Sequence, residues 1–228
     1  ELNNVAQWCS KWQLELSTAK CGWLCFGDTS LNLNLTINGE MLSRLHTVVD
    51  LGLRYSDDLS FTEQIMKQTS KSQRLIGFIT RNLHNSESRI LMYKVCVRPL
   101  LEYCAFLLIS TRIKDKLRLE SVQRRFTLRT LGTDSVLTYN SRCSKLGLDP
   151  LWKRRLKLNL IFLFKILNKL SFTSSQEIQY AKAPHYDIRN SLSLAKQTYS
   201  RSSLHMNYFT CKFSRLWNNL PQTIRMLN

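Results

Sequence analysis

The chain has 228 residues, 43% hydrophobic and 21% charged, a composition that is ordinary for a globular protein and excludes simple disorder. Seven Gly and four Pro exclude collagen-like and low-complexity classes. The net charge of +17 favours a polyanionic partner, nucleic acid first and an anionic membrane second.

The positive charge is confined to the last two thirds of the chain. Residues 1–70 hold five Lys and Arg against eight Asp and Glu, whereas residues 71–228 hold 28 against eight. A surface that binds a polyanion is therefore expected after residue 70. The seven Cys form an odd number without framework spacing, which indicates a reducing compartment. The longest apolar run, residues 158–170, is shorter than the roughly twenty residues that a membrane span needs, so no span is predicted.

The first sixty residues combine helix and strand patterns. Apolar residues at spacings of three and four predict an amphipathic helix over 2–16. Alternation of apolar and polar residues predicts a strand over 31–37, followed by Asn38-Gly39, the pair best suited to a two-residue hairpin turn. A second strand is predicted over 45–53. These elements indicate the edge of an α+β domain.

Helix patterns dominate from residue 60 onward. The predicted helices cover about 65–83, about 86–104 with an N-cap at Ser86 and a kink or break at Pro99, 114–131 with Gly132 as its stop, about 149–170 with an N-cap at Asp149 before Pro150, and the region of 209–217 before Pro221. The polar stretch 171–190 is the expected linker. The predicted fold class is α+β, mostly α.

Enzymatic motifs are scarce. The sequence contains no P-loop, GxGxxG, HExxH or GxSxG pattern. Asp57-Asp58 is the only adjacent carboxylate pair, and its Ser-Asp-Asp-Leu setting is more typical of a turn and a helix start than of a metal site. Cys21 and Cys25 lack the second ligand pair that a zinc finger needs, so no metal site is predicted.

Basic residues on the predicted helices are the stronger lead. Like charges four residues apart repel each other on a helix, and acidic neighbours are nearly absent here. Paired arginines can grip phosphates through planar guanidinium groups, and such contacts hold a duplex without reading its sequence. The candidate nucleic-acid-binding residues are Arg118, Arg124, Arg125, Arg129, Lys153, Arg154 and Arg155.

Four motifs follow one another along the chain. They are DLGL at 50–53 followed by DLSF at 58–61, VRPLLEY at 97–103, LESVQRRFT at 119–127, and RLWNNLP at 215–221. In this order they resemble the C-terminal region of reverse transcriptases from LINE-type (non-LTR) retrotransposons, of the jockey and RTE kind. The resemblance covers essentially the whole chain.

The resemblance implies three parts. Residues 1–60 would be the end of the polymerase palm with a primer-grip-like hairpin, 61–133 a helical thumb-like domain, and 134–228 a helical C-terminal nucleic-acid-binding region. Lys20 matches the lysine that neighbours the phosphates of the incoming nucleotide, where a cation can assist the departure of pyrophosphate. The implied primer-grip residues are Val48, Val49, Asp50, Leu51, Gly52 and Leu53.

The resemblance also implies an RNA-directed DNA polymerase that uses Mg²⁺, binds an RNA–DNA hybrid or duplex nucleic acid, and works in the nucleus and cytoplasm. The family's metal-binding aspartates would precede Glu1. This chain, which starts without Met and looks cut from a longer protein, is therefore expected to hold no cofactor and to be inactive alone. Residues 106–110 (FLLIS) depart from the Val-Trp-Ser-Pro-like stretch of the family, and Leu128 stands where a basic residue is common. Such changes are compatible with a decaying genomic copy.

Two other functions are compatible with the sequence. An inactive relic or a helical interaction module would keep the fold while its charge serves only solubility. Peripheral binding to an anionic membrane through residues 152–170 is disfavoured, because apolar residues nearly encircle that helix. The arrangement of the basic residues separates these functions. Convergence on one concave surface favours nucleic-acid binding, whereas scatter around the helices favours the interaction module.

Overall fold

The computed structural model describes residues 2–27, 33–110, 112–132, 136–171, 178–181, 192–195 and 203–226. Within these ranges the chain is mostly α, with six short strands, so the predicted fold class is confirmed. The chain divides into two compact units, residues 1–64 and 65–228. The separation of a thumb-like part from a C-terminal region at residue 133 stays a prediction.

The first unit begins with α1 (Leu2–Lys11), which confirms the predicted amphipathic helix although it ends earlier than expected. Its buried residue Ala6 packs with Ile37 and Leu42 to form a small core. The apolar stripe of α1 is only partly used in this core, since Trp8 and Trp12 are 56% and 61% exposed.

Six short strands follow and pair into three two-stranded sheets in the described part of this unit. They are β1 (Gly22–Trp23), β2 (Thr36–Ile37), β3 (Glu40–Met41), β4 (Ser43–Arg44), β5 (Thr47–Asp50) and β6 (Leu53–Ser56). β1 and β4 pair in parallel, whereas β2–β3 and β5–β6 are antiparallel hairpins.

Both hairpins turn through two residues with positive φ. Asn38 (φ 53°) and Gly39 (φ 83°) join β2 to β3, which confirms the predicted turn. Leu51 (φ 47°) and Gly52 (φ 80°) join β5 to β6, so the chain reverses inside the stretch 45–53, and the single strand predicted there is wrong. Periodicity misses this turn because leucine rarely adopts positive φ.

The long helix α2 (Thr62–Asn82) contains the boundary between the units and confirms the helix predicted over 65–83. Next come α3 (Ser86–Met92), a π-helical turn (Tyr93–Val97) and α4 (Arg98–Glu102). The π-helical turn lies directly before Pro99, which has no N–H to donate and whose ring crowds the preceding turn. The interruption predicted at this proline is confirmed.

The N-cap of α3 is Asn85, because its side-chain oxygen accepts a hydrogen bond from the backbone N–H of Glu87 at 2.9 Å. The predicted N-cap, Ser86, is instead the first residue of the helix. The prediction was one residue out, since Asn and Ser are both favoured caps and stand next to each other.

α5 (Ile113–Leu131) ends where predicted, and Gly132 follows it with a φ of 90°. Its predicted inward residues Leu119, Val122 and Phe126 are all fully buried. The ring of Phe126 stacks on that of Tyr93, with 4.2 Å between the ring centroids. This contact fixes α5 against the π-helical turn.

Five helices complete the described chain: α6 (Tyr139–Lys145), α7 (Leu151–Leu167), α8 (Ser203–Met206), α9 (Phe209–Asn218) and α10 (Gln222–Arg225). Leu163 of α7 packs with Phe213 and Trp217 of α9 in a shared core. Ile178 and Leu194 also enter this core, and Leu194 forms an isolated antiparallel β-bridge with Tyr180.

Part of the expected linker therefore belongs to a packed region. Residues 178–181 lie within the predicted stretch 171–190 and contribute Ile178 to the core. Residues 172–177 and 182–190 lie outside the described residues.

A carboxylate from another helix holds the start of α7. Glu120 of α5 accepts hydrogen bonds from the backbone N–H groups of Leu151 at 3.0 Å and Trp152 at 2.8 Å. The first N–H groups of a helix lack partners within it and carry the positive end of its dipole, so a carboxylate is favoured there. Asp149, the predicted N-cap, instead lies 3.5 Å from the ammonium group of Lys153, and that predicted role is wrong.

Hydrogen bonds extend from this point through the interior. Gln123 accepts from the hydroxyl of Tyr93 at 2.8 Å and donates to the hydroxyl of Tyr139 at 3.0 Å and the carbonyl of Asp149 at 2.9 Å. The Tyr139 hydroxyl donates to Glu120. Burial raises the pKa of Tyr93 and of Tyr139, so both phenols remain neutral donors.

Glu120→Ala should destabilise the protein by about 2–4 kcal/mol, because it leaves two backbone N–H groups and a tyrosine hydroxyl without their acceptor. Urea unfolding followed by circular dichroism measures the loss. The matched control is Glu87→Ala, an exposed glutamate in the first turn of α3, for which we expect about 0.5 kcal/mol. Equal losses in the two variants would contradict the structural role of Glu120.

Candidate nucleic-acid interface

An open groove of about 740 Å³ lies between α2 and α5 in the second unit. Both of its walls carry arginines. The lining residues are Ser70, Gln73, Arg74, Gly77 and Arg81 from α2, and Arg125 and Arg129 from α5.

Helical spacing explains why four arginines meet here. Arg74 and Arg81 are two turns apart on α2, and Arg125 and Arg129 are one turn apart on α5, so each pair shares a face of its helix. Gly77 lies between the α2 arginines and leaves the floor of the groove open. A Cβ atom at Gly77 would lie 3.6 Å from Nη1 of Arg81 and 4.0 Å from Nη1 of Arg129.

Arg89 joins the two walls at one end. Its guanidinium donates to the carbonyl oxygens of Thr80 at 3.0 Å, Leu83 at 2.6 Å and Arg129 at 3.3 Å. These carbonyls lie at the C-terminal ends of α2 and α5, where the helix dipole is negative and a cation is favoured. The spacing of the groove walls therefore depends on a fifth arginine that is itself fully engaged.

The four groove arginines are exposed and lack acidic partners. Among the described residues none of them forms a salt bridge, and Arg125 makes one hydrogen bond, to Oε1 of Gln73 at 3.4 Å. Four cations around one groove repel each other. A ligand with several anionic oxygens relieves this repulsion, and each planar guanidinium can donate two hydrogen bonds to a phosphate.

Only two of the seven basic residues predicted as candidates, Arg125 and Arg129, lie in this groove. Arg124 lies over the ring of Tyr139, with its guanidinium carbon 4.7 Å from the ring centroid. Arg118 pairs with Asp115 at 3.4 Å, and Lys153 pairs with Asp149.

Arg154 and Arg155 lie near the N-terminal end of α7, and their side chains have different environments. Arg154 forms an ion pair with Glu102. Arg155 has its Nε and Nη2 atoms buried without a hydrogen-bond partner, and burial lowers the pKa of this guanidinium to about 10. The role of these residues and of Arg118, Arg124 and Lys153 in binding nucleic acid stays a prediction.

The candidate residues of the first unit lie on two different elements. Lys20 is exposed at the end of a short 3₁₀ turn (Thr18–Lys20) that leads into β1. The predicted primer-grip residues span β5, its turn and the first residue of β6, with Leu51 at the tip 87% exposed and Leu53 buried. The proposed contacts of Lys20 and of this hairpin with nucleotides stay predictions.

The adjacent acidic residues Asp57 and Asp58 lie in a turn after β6. Asp57 pairs with His46 through Oδ2 and Nδ1 at 2.8 Å, and Asp58 accepts a hydrogen bond from the backbone N–H of Ser60 at 2.8 Å. The interpretation of Asp57-Asp58 as a turn before a helix is confirmed. Across the described ranges, no three His, Cys, Asp or Glu side chains are grouped so that they could hold a metal ion. No helix in the same ranges is both long and apolar enough to cross a membrane.

Sequence analysis missed Arg74 and Arg81. The sequence pattern that could have indicated them is their two-turn spacing with Gly77 between them. This spacing places both arginines on one face of α2, and Gly77 adds no side chain to that face. That face matters only because α5 lies opposite it, and no local pattern pairs these two helices.

No protein-family model matches the chain, and no curated protein or solved structure is detectably similar to it.

Gly77→Ala should raise the stability of the protein by about 0.5–1 kcal/mol, because glycine inside a helix costs that much relative to alanine. The added methyl group meets only ordinary contacts at 3.6 Å and beyond. Thermal and urea unfolding measure the change, with Gly52→Ala as the control that should lose stability, since Gly52 has a φ of 80°. A loss of stability in Gly77→Ala would mean that the groove floor is closed.

Proposed function

We propose that this chain is a fragment of a reverse transcriptase from a non-LTR retrotransposon, and that its role is to hold a primer–template duplex through contacts with backbone phosphates. The observation that carries the proposal is the groove between α2 and α5, where four exposed arginines converge without acidic partners.

The chemistry of the groove favours a phosphate backbone over a single small anion. The groove is open and large, and its guanidinium groups come from two helices, so several phosphates can be engaged at once. It contains no exposed aromatic ring and no acidic group among its lining residues, which favours backbone contacts over recognition of bases. Binding should therefore be strong at low salt and indifferent to sequence.

The assignment to a reverse transcriptase rests on the collinear motifs. α2 and α5 are the first and last long helices of residues 61–133, the part that resembles the polymerase thumb, and LESVQRRFT at 119–127 supplies Arg125 to the groove. A thumb that grips a duplex needs phosphate-binding side chains of this type. In this proposal the chain does not polymerise alone, and Mg²⁺ would be held by the catalytic aspartates of a complete polymerase.

Helix dipoles offer a competing explanation for part of the groove. Arg81 and Arg129 lie in the last turns of their helices, where cations stabilise the fold without any ligand. Arg74 and Arg125 lie earlier in their helices, and the dipole does not account for them. An interaction module whose charge serves only solubility predicts no loss of function when these two are replaced.

The test is binding to an RNA–DNA hybrid and to random duplex DNA from about 50 to 300 mM salt. We expect sub-micromolar affinity at low salt and a slope of log K against log salt near −5 or steeper, because each neutralised phosphate contributes about −0.9. Replacement of Arg74, Arg81, Arg125 and Arg129 by Gln should reduce the steepness of this slope by about 3.6, because four phosphate contacts are lost.

The control replaces four exposed lysines outside the groove with Gln and changes the net charge equally: Lys145, Lys157, Lys165 and Lys169. We expect it to keep most of the affinity and slope. Equal losses in both variants would show that net charge alone drives binding, and a weak, salt-independent affinity of the unmodified chain would leave a relic or an interaction module as the function.

A further inference from the structure

The groove between α2 and α5 has one end at which its two walls are tied together. Arg89 donates to the carbonyl oxygens of Thr80 and Leu83 on the α2 side and of Arg129 on the α5 side. Arg81 and Arg129 line the groove in the last turns of their helices, next to this tie. A strand that lies along the groove therefore meets a bridge between the walls directly after these two arginines.

The guanidinium groups of Arg81 and Arg129 converge on one point over Gly77. A Cβ atom at Gly77 would lie 3.6 Å from Nη1 and 4.0 Å from Cζ of Arg81, and 4.0 Å from Nη1 of Arg129. Glycine permits this approach, because a long side chain at position 77 would occupy the space in which the two groups meet. Both arginines are exposed and line the open groove, so a ligand can reach them from solvent.

The helix dipole explains why each last turn carries a cation, but not why the two guanidinium groups meet. The carbonyl oxygens at the two helix ends are already acceptors for Arg89. The Arg81 side chain lies over Gly77, one turn toward the N-terminus, and so points away from the negative end of α2. In the described part of the chain neither Arg81 nor Arg129 pairs with a carboxylate. Two cations focused on one point without a counter-ion are unfavourable until an anion lies between them.

We propose that Arg81 and Arg129, with Gly77 beneath them, form a site for the terminal phosphate of a nucleic-acid strand whose internal phosphates lie along the rest of the groove. This inference rests on the proposed function of the groove. An internal phosphodiester has one negative charge, whereas a terminal phosphate monoester has about −1.5 to −2 near neutral pH and three acceptor oxygens. Two guanidinium groups aimed at one point match the monoester better, because each can donate charge-assisted hydrogen bonds to separate oxygens.

The test compares two short RNA–DNA hybrids of one sequence, of which one has phosphates at all strand ends and the other has hydroxyl groups there. At about 150 mM salt the full chain should bind the phosphorylated hybrid about tenfold more tightly, the effect of roughly one charge-assisted hydrogen bond. Arg81→Gln with Arg129→Gln should abolish this preference. The matched control, Arg74→Gln with Arg125→Gln, removes the same charge from the same groove and should weaken the binding of both hybrids while keeping the preference.

A variant that keeps every cation separates the geometry of the site from its charge. Gly77→Gln places a long neutral side chain between the two guanidinium groups, so the preference for the phosphorylated hybrid should disappear. Ser70→Gln adds the same side chain two turns away on the same groove wall and should keep the preference. Gly77→Ala should keep it as well, since the added methyl group meets only ordinary contacts. Circular dichroism of each variant checks that it is folded.

The outcomes separate this inference from the proposed function. Equal, salt-dependent affinity of the unmodified chain for the two hybrids would leave the groove as a duplex-binding surface and overturn the terminal-phosphate site. A preference that survives Arg81→Gln with Arg129→Gln would also overturn it.

If the chain binds neither hybrid, inorganic phosphate is the remaining probe, titrated at constant ionic strength against chloride with thermal unfolding as the readout. At a tenfold excess over its Kd it should raise Tm by about 3–6 °C in the unmodified chain and in Arg74→Gln with Arg125→Gln, but not in Arg81→Gln with Arg129→Gln. That pattern would assign the site to a free phosphate compound. No rise in the unmodified chain would overturn the site together with the proposed function.

Discussion

The carboxylate of Glu120 is the acceptor on which three helices of the second unit converge. It lies on the buried face of α5, receives the first backbone N–H groups of α7, and accepts from Tyr139 at the start of α6. Gln123, one turn further along α5, links the same region to Tyr93 in the π-helical turn. A buried network of this kind is stable only when every member is satisfied, so it fixes the rotation of α5 about its own axis. That rotation leaves Arg125 and Arg129 on the flank that faces α2.

Positive charge in the second unit is arranged in three ways with different consequences. Some cations have partners within the protein: Arg89 donates to carbonyls at helix ends, and Arg154 pairs with Glu102. Others form the open groove, where mutual repulsion is partly screened by water. Lys116, Lys212 and Arg155 are half-buried, and burial lowers the pKa of each. The groove cations are the ones from which we infer phosphate binding, because an anion offsets the free energy that like charges cost.

The first unit differs in character. Its sheets are two-stranded and its strands short in the described ranges, and its small core leaves Trp8 and Trp12 largely exposed. Two-stranded hairpins are marginal in water without a further packed surface. If residues 1–60 are the end of a polymerase palm, as we propose, these exposed aromatic and strand-edge surfaces are where the remainder of the palm would pack. The helical unit would then supply most of the stability of the fragment.

The sequence by itself determined the local elements: α1, the Asn38-Gly39 turn, the break at Pro99 and the inward face of α5 all follow from short-range periodicity and turn chemistry. It also predicted that a polyanion-binding surface, if the protein has one, lies after residue 70, since the excess positive charge is there. Tertiary structure alone decided which cations remain available. Arg124 and Arg125 are neighbours with equal local signals, yet one lies over Tyr139 and the other lines the groove. The cap of α7 by Glu120 spans 31 residues of sequence, and the groove between α2 and α5 joins residues more than forty apart. Helix propensity and spacing act within a few residues, whereas these choices depend on which buried polar groups find partners across the fold.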